Sequence, residues 1–536
     1  MAVSPTLADT QCAAGRADSL ALRWLGWNGE RVDLSYAQLA DQAGRVASLL
    51  LEQGLRPGDT VGVMTGRRVE TVTSALGIWK AGGVYCPLYA DLGPDPLLIR
   101  LELGGVRLLI ADAALYNELI EPLLPLLPDL TKVLLVGEDI PEGCVDFLSA
   151  VSQQTPLAEP AALPQGQAVC MHFTSGTTAP VASGGAPPKA VLHDVGVLEA
   201  MKDSAQSAFD LKPGELIWCT ADPGWETHTA YGLVGPLAVG AAILLDEVPS
   251  APTRCLSVLE DEPVAVWYTT PTVIRGLIGG GAAPARFTKP MALRLAASVG
   301  EPLSADAVDW GRKALGTPFR DTWWQTETGA IILAHDPSRL PVPGSMGRPL
   351  PGKAPVLVRR REDGIEILLE GEAAGELALA SDGLPPWRSL GGEGGALPEE
   401  LEGWHLSGDM VRRDADGYYW FLGREDEVIL AAGRMIGPFE IEAVLMSHPA
   451  VAEVGVVGAP DWRAHEHLVA FIAVNPGFDA GDGLRDELMD YAREHLGDAL
   501  APQELIFEPD LPRTSSGKII RRALKARLQP NHALSD

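Results

Sequence analysis

Basic side chains are scarce in this chain of 536 residues, with 42 Lys and Arg against 71 Asp and Glu and a net charge of −29. That shortage argues against a partner with a phosphate backbone or an anionic membrane face, and it leaves an acidic, solvated surface. Long apolar runs are missing too, and none approaches the roughly 18 uninterrupted residues of a spanning helix. The first residues, MAVSPTLADTQ, lack a basic segment followed by an apolar one, so no secretory leader is expected. Cysteine is sparse. Cys12, Cys86, Cys144, Cys170, Cys219 and Cys255 are scattered, with no C-x-x-C pair and no clustered histidines. Neither a disulfide framework nor a zinc site fits that spacing. These absences together predict a soluble protein of a reducing cytoplasm.

The chain does hold ample material for packed cores, since 46% of it is hydrophobic, and its length calls for two or three domains. LSYAQLADQAGRVASLLLEQG places Ser35 as a cap with Gln38 three residues on. Leu39, Ala43, Val46 and Leu50 form one apolar face, and Gly54 closes the segment, so an amphipathic helix is predicted. DTVGVMT, RLLIAD, KVLLVG and AAILLDE read as buried strands between such helices. The alternation runs to about residue 345 and implies layered α/β subdomains with mostly parallel sheets. From about 350 to 425 turn-punctuated strand patterns predict a β-rich subdomain, with PPWRSLGGEGGALPEELEG as a surface loop. A small α+β domain follows, read as helix, strand, strand, helix, strand.

Four segments carry chemistry. TSGTT (174–178) packs hydroxyls and backbone amides around a glycine, a donor set suited to phosphate oxygens, and Lys189 follows with a neutralising charge. It has neither the G-K-[ST] of a Walker loop nor G-x-G-x-x-G, and taken alone it is equally the composition of an ordinary loop. DTWWQTETGA (321–330) sets Glu327 among hydroxyls and aromatics. A carboxylate there can hold Mg²⁺, and the tryptophans can form an apolar wall; a packed aromatic turn would read the same way. Asp409 and Arg424 flank a hairpin signal at Ala415-Asp416-Gly417, where an aspartate could accept from a pair of ribose hydroxyls or simply close a surface salt bridge. LPRTSSGKIIRR (511–522) puts Lys518 after a glycine in a Ser-rich loop.

The order and spacing of these segments resemble the adenylate-forming superfamily from about residue 30 to 527. WCTADPGW, YTTPTVIRGL, ASVGEPL, DTWWQTETG, GSMGRPLPG and GPFEIE look most like acetyl-CoA synthetase and its short-chain relatives. The resemblance implies an AMP-binding domain over 1–425 and a mobile C-terminal domain over 426–536, hinged near Asp426. It implies activation of a small carboxylic acid by ATP and Mg²⁺ to an acyl-adenylate, and then transfer to coenzyme A, by a monomer or small homo-oligomer.

Carried over by position, Thr174, Ser175, Gly176, Thr177 and Thr178 would wrap the phosphates, with Lys189 closing the loop. Gly300, Glu301, Pro302, Asp321, Thr322, Trp323 and Gln325 would border the nucleotide base, and Asp409 and Arg424 would hold the ribose. Thr326 would reach the α-phosphate, Glu327 would bind Mg²⁺, and Lys518 would bridge the attacking carboxylate and the α-phosphate. Trp225, Glu226, Thr227, Val299 and Trp324 would line the acyl pocket, with Trp324 limiting it to about two carbons.

The chain departs from the pattern in four places. Seven residues, PVASGGA, lengthen the phosphate loop, and the glycines flanking that loop are replaced by Ala179 and Ala190. Loop-closure entropy rises by only about 0.6 kcal/mol per doubling of length, so a lengthened loop can still bind. Glu226 and His228 stand where acetate-specific relatives carry valine and often glycine. Met435 replaces an arginine that would meet the phosphate, and Arg434 lies one residue early. A carboxyl at Glu226 implies that it is protonated, paired with His228, or met by a hydroxyl or amino group on the acid, unless it turns away from the pocket. Two alternatives to a CoA ligase stay open at this point: a different acyl acceptor, or a degenerate nucleotide binder without turnover.

Overall fold

The computed structural model describes residues 6–163, 166–174, 188–279, 291–361, 364–368, 371–391, 403–425, 427–431, 434–461, 465–498, 500–513 and 519–528. By its internal contacts the chain divides into two compact units, one of residues 1–354 and 380–397, the other of 355–379 and 398–536.

In the first unit Tyr36–Glu52 is a helix for the local reasons read above. Ser35 caps it in extended conformation, and Ser35 and Gln38 exchange side-chain bonds in a capping box. Gly54, at φ +92°, takes the left-handed turn that ends it. Leu39, Val46 and Leu50 are buried in a core that also draws Val61 and Leu108 from one sheet and Ile217 and Ile243 from another. The eight-stranded sheet runs 387–391, 189–194, 168–173, 84–87, 60–64, 106–112, 132–136, 145–146. Its middle strands are parallel, whereas Ala168–Phe173 and Lys189–Asp194 pair antiparallel around the phosphate-loop motif. The nine-stranded sheet has a parallel centre of 242–246, 216–219, 264–269, 295–298 and 319–323. Its strands end in the 298–303 and 324–329 segments, the carboxyl-end position where open α/β sheets present their loops.

One expectation fails. Trp387–Gly391, read as part of a surface loop, is a strand that pairs antiparallel with Lys189–Asp194, Trp387 opposite His193 and Gly391 opposite Lys189. The partner strand's open edge supplies the hydrogen bonds that local Gly and Pro composition does not foretell. Residues 392–402 lie outside the described residues.

The second unit holds a five-stranded sheet in the order 364–368, 356–361, 373–380, 404–413, 419–424, and a second sheet built on the long hairpin Val451–Asp461 and His465–Val474. Helices Pro438–Met446 and Asp482–Leu496 and strand Glu504–Phe507 complete the latter, in the order expected. Buried Ile441, Leu445 and Leu488 pack with Val454, Val456 and Ile472 to form its core. Among the described residues no helix is long and apolar enough to cross a membrane.

Candidate active site

Two sequence motifs meet in the first unit. Thr174 closes the neck of the phosphate-loop motif, its backbone N–H (2.9 Å) and hydroxyl (3.2 Å) both donating to the Lys189 carbonyl. Lys189 Nζ lies 2.8 Å from Glu327 Oε1 and 5.1 Å from the centroid of the Trp387 ring. Ser175, Gly176, Thr177 and Thr178, together with the PVASGGA stretch, lie outside the described residues.

Glu327 sits on the one-turn helix Thr326–Thr328 that follows strand Phe319–Trp323. The turn is closed from within. The single proton of the Thr328 hydroxyl is shared between the carbonyls of Gln325 (2.8 Å) and Ala330 (3.0 Å), and the Gln325 N–H donates back to Thr328 Oγ1 (3.0 Å). Gly329 at φ +67° ends it. From outside, His193 Nε2 lies 2.7 Å from the Thr326 carbonyl oxygen. Among the described residues no group of three or more His, Cys, Asp or Glu could hold a metal. Mg²⁺ beside nucleotides is usually held by one or two carboxylates plus phosphate oxygens and water, and Glu327, partly buried beside Lys189, is a carboxylate of the type such a site needs.

The expected base-binding positions surround the ends of neighbouring parallel strands. Gly300 adopts φ +93°, and a Cβ there would lie 3.7 Å from the Trp225 ring, so bare backbone faces the indole. Glu301 accepts from Thr272 Oγ1 (2.6 Å) and pairs with Arg275 (2.5 Å), which fixes the loop. Asp321 is buried and turned inward. It accepts from Ser298 Oγ (3.0 Å), Leu303 N (3.3 Å) and Thr322 N (3.0 Å), and burial still pushes its carboxyl up to about 7. Its contacts pin both ends of the 298–303 loop.

Around the acyl-pocket positions a directed relay is legible from donor chemistry. The Trp324 indole N–H donates to the Tyr268 hydroxyl (3.2 Å). Because the Thr322 hydroxyl donates to the Ser298 carbonyl (2.7 Å), Thr322 Oγ1 accepts from Tyr268 (2.8 Å). Tyr231 meets Trp324 edge-on at 5.4 Å and Tyr268 at 5.3 Å. Val299 and Thr227 are buried. Trp324, Val299 and Trp225 belong to one apolar cluster with these tyrosines.

Glu226 is only 5% exposed, and neither carboxyl oxygen has a hydrogen-bond partner of good geometry. Burial holds its carboxyl well above the usual range; the nearby Thr326 side chain opposes this and the Glu327 charge adds to it. Its neighbour at ion-pair distance is His193, Nε2 to Oε1 3.7 Å, and not His228, one of the partners the sequence left open. The His228 ring instead stands over Gly232, one helical turn along, where a Cβ would come within 2.6 Å of Nδ1. Burial lowers His228 to about 3, so it is neutral. His193, Tyr268 and Tyr231 were not singled out by sequence, and only their alternation within apolar strands and helices could have marked them as inward-facing.

In the second unit Asp409 and Arg424 lie directly opposite each other on adjacent strands, with Nη1 2.6 Å from Oδ1. Arg424 also donates to the Ser407 carbonyl (3.1 Å). Gly408, at φ +70°, leaves room for the guanidinium, since a Cβ would lie 3.0 Å from Nη2. The arginine thus fixes the orientation of the Asp409 carboxylate on its strand. Arg434 and Met435 lie on the short strand paired with 429–431, Met435 opposite Leu430, and their side chains are outside the described residues, as are Asp426 and Lys518. A groove of about 820 Å³ between helix Asp482–Leu496 and strand Glu504–Phe507 holds none of the expected site residues.

Residues 9–385 match the AMP-binding enzyme family and residues 440–518 the AMP-binding enzyme C-terminal domain. The acetyl-coenzyme A synthetase of Bacillus subtilis (strain 168) is 34% identical over 505 residues, covering 92% of this chain and 84% of that protein. Acetyl-coenzyme A synthetase 2 of Pseudomonas aeruginosa is 35% identical over 540 residues, covering 95% and 82%. An acyl-CoA synthetase of Brucella canis superimposes with a TM-score of 0.71 at 30% identity, over 98% of this chain and 94% of that one. An anthranilate CoA ligase in complex with anthranoyl-AMP superimposes with a TM-score of 0.84 at 24% identity, over 99% and 98%, a likeness of fold.

Proposed function

The chain belongs to the AMP-binding enzyme family, and from that premise we propose that it is an AMP-forming acyl-CoA synthetase specific for a short carboxylic acid. ATP, Mg²⁺ and coenzyme A are the companions of that chemistry. The observation that carries the reading is the Lys189–Glu327 pair, which brings the phosphate-loop motif and the DTWWQTETGA motif to 2.8 Å across 138 residues of sequence. Such a site works by position and charge, with little covalent chemistry of its own.

In this reading Thr174 and Lys189 stand at the neck of the loop that wraps the phosphates. Glu327 supplies the carboxylate for Mg²⁺, which when bound neutralises phosphate charge. Thr326 faces the α-phosphate, and Asp409, held by Arg424, is assigned to the ribose hydroxyls. Asp321 acts from behind by holding the 298–303 loop. Lys518 is assigned to the adenylation step, and Asp426 to the boundary between a 1–425 domain and a mobile 426–536 domain. We place the enzyme in the cytoplasm, as a monomer or small homo-oligomer.

Trp324, clamped by Tyr268 and flanked by Tyr231, favours an acid of acetate size. The unpartnered carboxyl of Glu226 favours a second form of the same reading, in which the acid carries a hydroxyl or amino group. ATP–pyrophosphate exchange over acetate, propionate, glycolate, 3-hydroxypropionate and β-alanine, with and without coenzyme A, tests both. Exchange with a short acid and AMP release on adding coenzyme A is expected. Exchange without use of coenzyme A would mean another acceptor, and no exchange with any acid would leave a nucleotide binder without turnover.

A further inference from the structure

The strand Lys189–Asp194 leaves the phosphate-loop motif carrying two polar side chains on one face, at 189 and 193. Lys189 takes the carboxylate of Glu327, and His193 takes the carbonyl of Thr326 at 2.7 Å. A carbonyl oxygen can only accept, so Nε2 carries the ring proton and the imidazole is the Nε2–H tautomer. The ring is fully buried, and that burial keeps it neutral. Gly329 closes the turn over the same ring, where an added Cβ would lie 3.1 Å from Cε1 and 2.5 Å from Val197 Cγ2. The turn thus rests on His193 by a hydrogen bond and by direct packing.

The bonds within 325–330 make the turn one rigid piece, but they do not decide where that piece sits. Its tethers to the strand do. His193 Nδ1, moreover, is buried without a hydrogen bond of good geometry, although the Pro386 backbone also bears on the ring. A residue kept only to fill space would avoid that desolvation by being apolar. The ring bears it while making its one well-formed hydrogen bond, to the backbone of the residue expected at the α-phosphate.

We propose that His193 is a positioning residue for adenylation. Its Nε2–H bond holds the Thr326–Thr328 turn in the register where Thr326 and Glu327 face the phosphates, and it ties that turn to the strand leaving the phosphate loop. The proposal rests on the reading of Thr326 and Glu327 given above.

Two variants of similar bulk separate the bond from the packing. In His193→Gln the side-chain amide can bring an N–H near the place of Nε2, whereas in His193→Asn it falls short. The asparagine variant is expected to lose about tenfold to a hundredfold in the kcat of ATP–pyrophosphate exchange, the scale of a small misplacement at a reacting centre. Its KM for the acid should stay within about threefold, since uniform acid binding is untouched. The rise in thermal-unfolding midpoint on adding Mg-ATP should shrink in the same variant, a readout independent of turnover. The glutamine variant should recover to within about threefold of the wild type. Equal activity of asparagine variant and wild type overturns the proposal, and so does equal loss in both variants at unchanged midpoints. If asparagine does not fold, the glutamine variant decides alone; its failure to fold also overturns the proposal, because the ring would then be needed for packing. Wild-type exchange is measured first. Its absence with every acid overturns the adenylation reading, and the positioning role falls with it, whereas wild-type exchange with an unaffected asparagine variant overturns the positioning role alone.

Discussion

Replacing Glu226 by methionine should stabilise the protein, because methionine keeps the length and shape of the side chain and removes a buried polar group. Both carboxyl oxygens are buried without a well-placed donor. His193 Nε2–H, 3.7 Å away, already donates to the Thr326 carbonyl at 2.7 Å, and the Thr326 side chain only partly offsets the effect of burial. Leaving such a group unsatisfied costs about 1–3 kcal/mol, so a gain of about that size is expected from urea unfolding at pH 8. The pH dependence has a definite sign. Burial raises the carboxyl of Glu226 above its ordinary value of 4.5. Its contribution is therefore fully present below about 4.5 and is lost as pH rises through the higher folded value. Glu226→Gln, nearly isosteric and without a titration, should match the wild type below about pH 4 and exceed it at pH 8. If both variants are less stable than the wild type at pH 8 by about 1 kcal/mol or more, the carboxylate is ionised and paired with a charged His193, and the reasoning is refuted. The acid panel adds a second readout. If the carboxyl meets a substrate hydroxyl or amino group, methionine should cut the kcat/KM ratio of substituted to plain acid by about tenfold to a hundredfold.

Lys518→Ala should abolish ATP–pyrophosphate exchange yet leave thioester formation from supplied acyl-adenylate largely intact; equal loss of both half-reactions would remove lysine from the first step. Asp321→Asn should raise the KM for ATP, measured by initial rates, by freeing the 298–303 loop. Since burial raises Asp321 to about 7, the stability margin of wild type over this variant should be greatest below pH 3.8 and shrink as pH rises through about 7. Removing residues 180–186 should lower the KM for ATP or leave it unchanged, because a shorter loop costs slightly less to order. Trp324→Ala should raise kcat/KM for four- to six-carbon acids relative to acetate, and it should cost stability because Tyr268 loses its indole donor.

Much of the fold was legible one segment at a time. The helix Tyr36–Glu52 follows from Ser35, Gln38 and its apolar stripe, whose hydrogen bonds and spacing are local to the chain. The buried strands and the C-terminal helix–strand–strand–helix–strand order follow from periodicity for the same reason. Trp387–Gly391 did not, since its strand state is supplied by the free edge of Lys189–Asp194, about 200 residues earlier in the chain. In the site, the sequence singled out Lys189 and Glu327, which the fold brings to 2.8 Å, and Asp409 and Arg424, which pair across adjacent strands, because charged groups in loop and hairpin motifs stand out by type.

What those residues do to one another belonged to the tertiary structure. Asp321 stands out in the sequence only as a position expected to border the base; the fold adds that three donors from two strands and a loop converge on its carboxylate. Pairing with His228, two residues away, is one of several states the sequence leaves open to Glu226, but helical geometry sends that ring over Gly232. A histidine 33 residues earlier in the chain comes closest instead. The sequence by itself determined which chemical groups are present and which segments could form helices and strands, since both depend on bonds within a few residues. The tertiary structure alone decided which buried groups find partners and which, like Glu226, are left without one, because strand order and packing bring distant residues together and exclude the water that would have satisfied them.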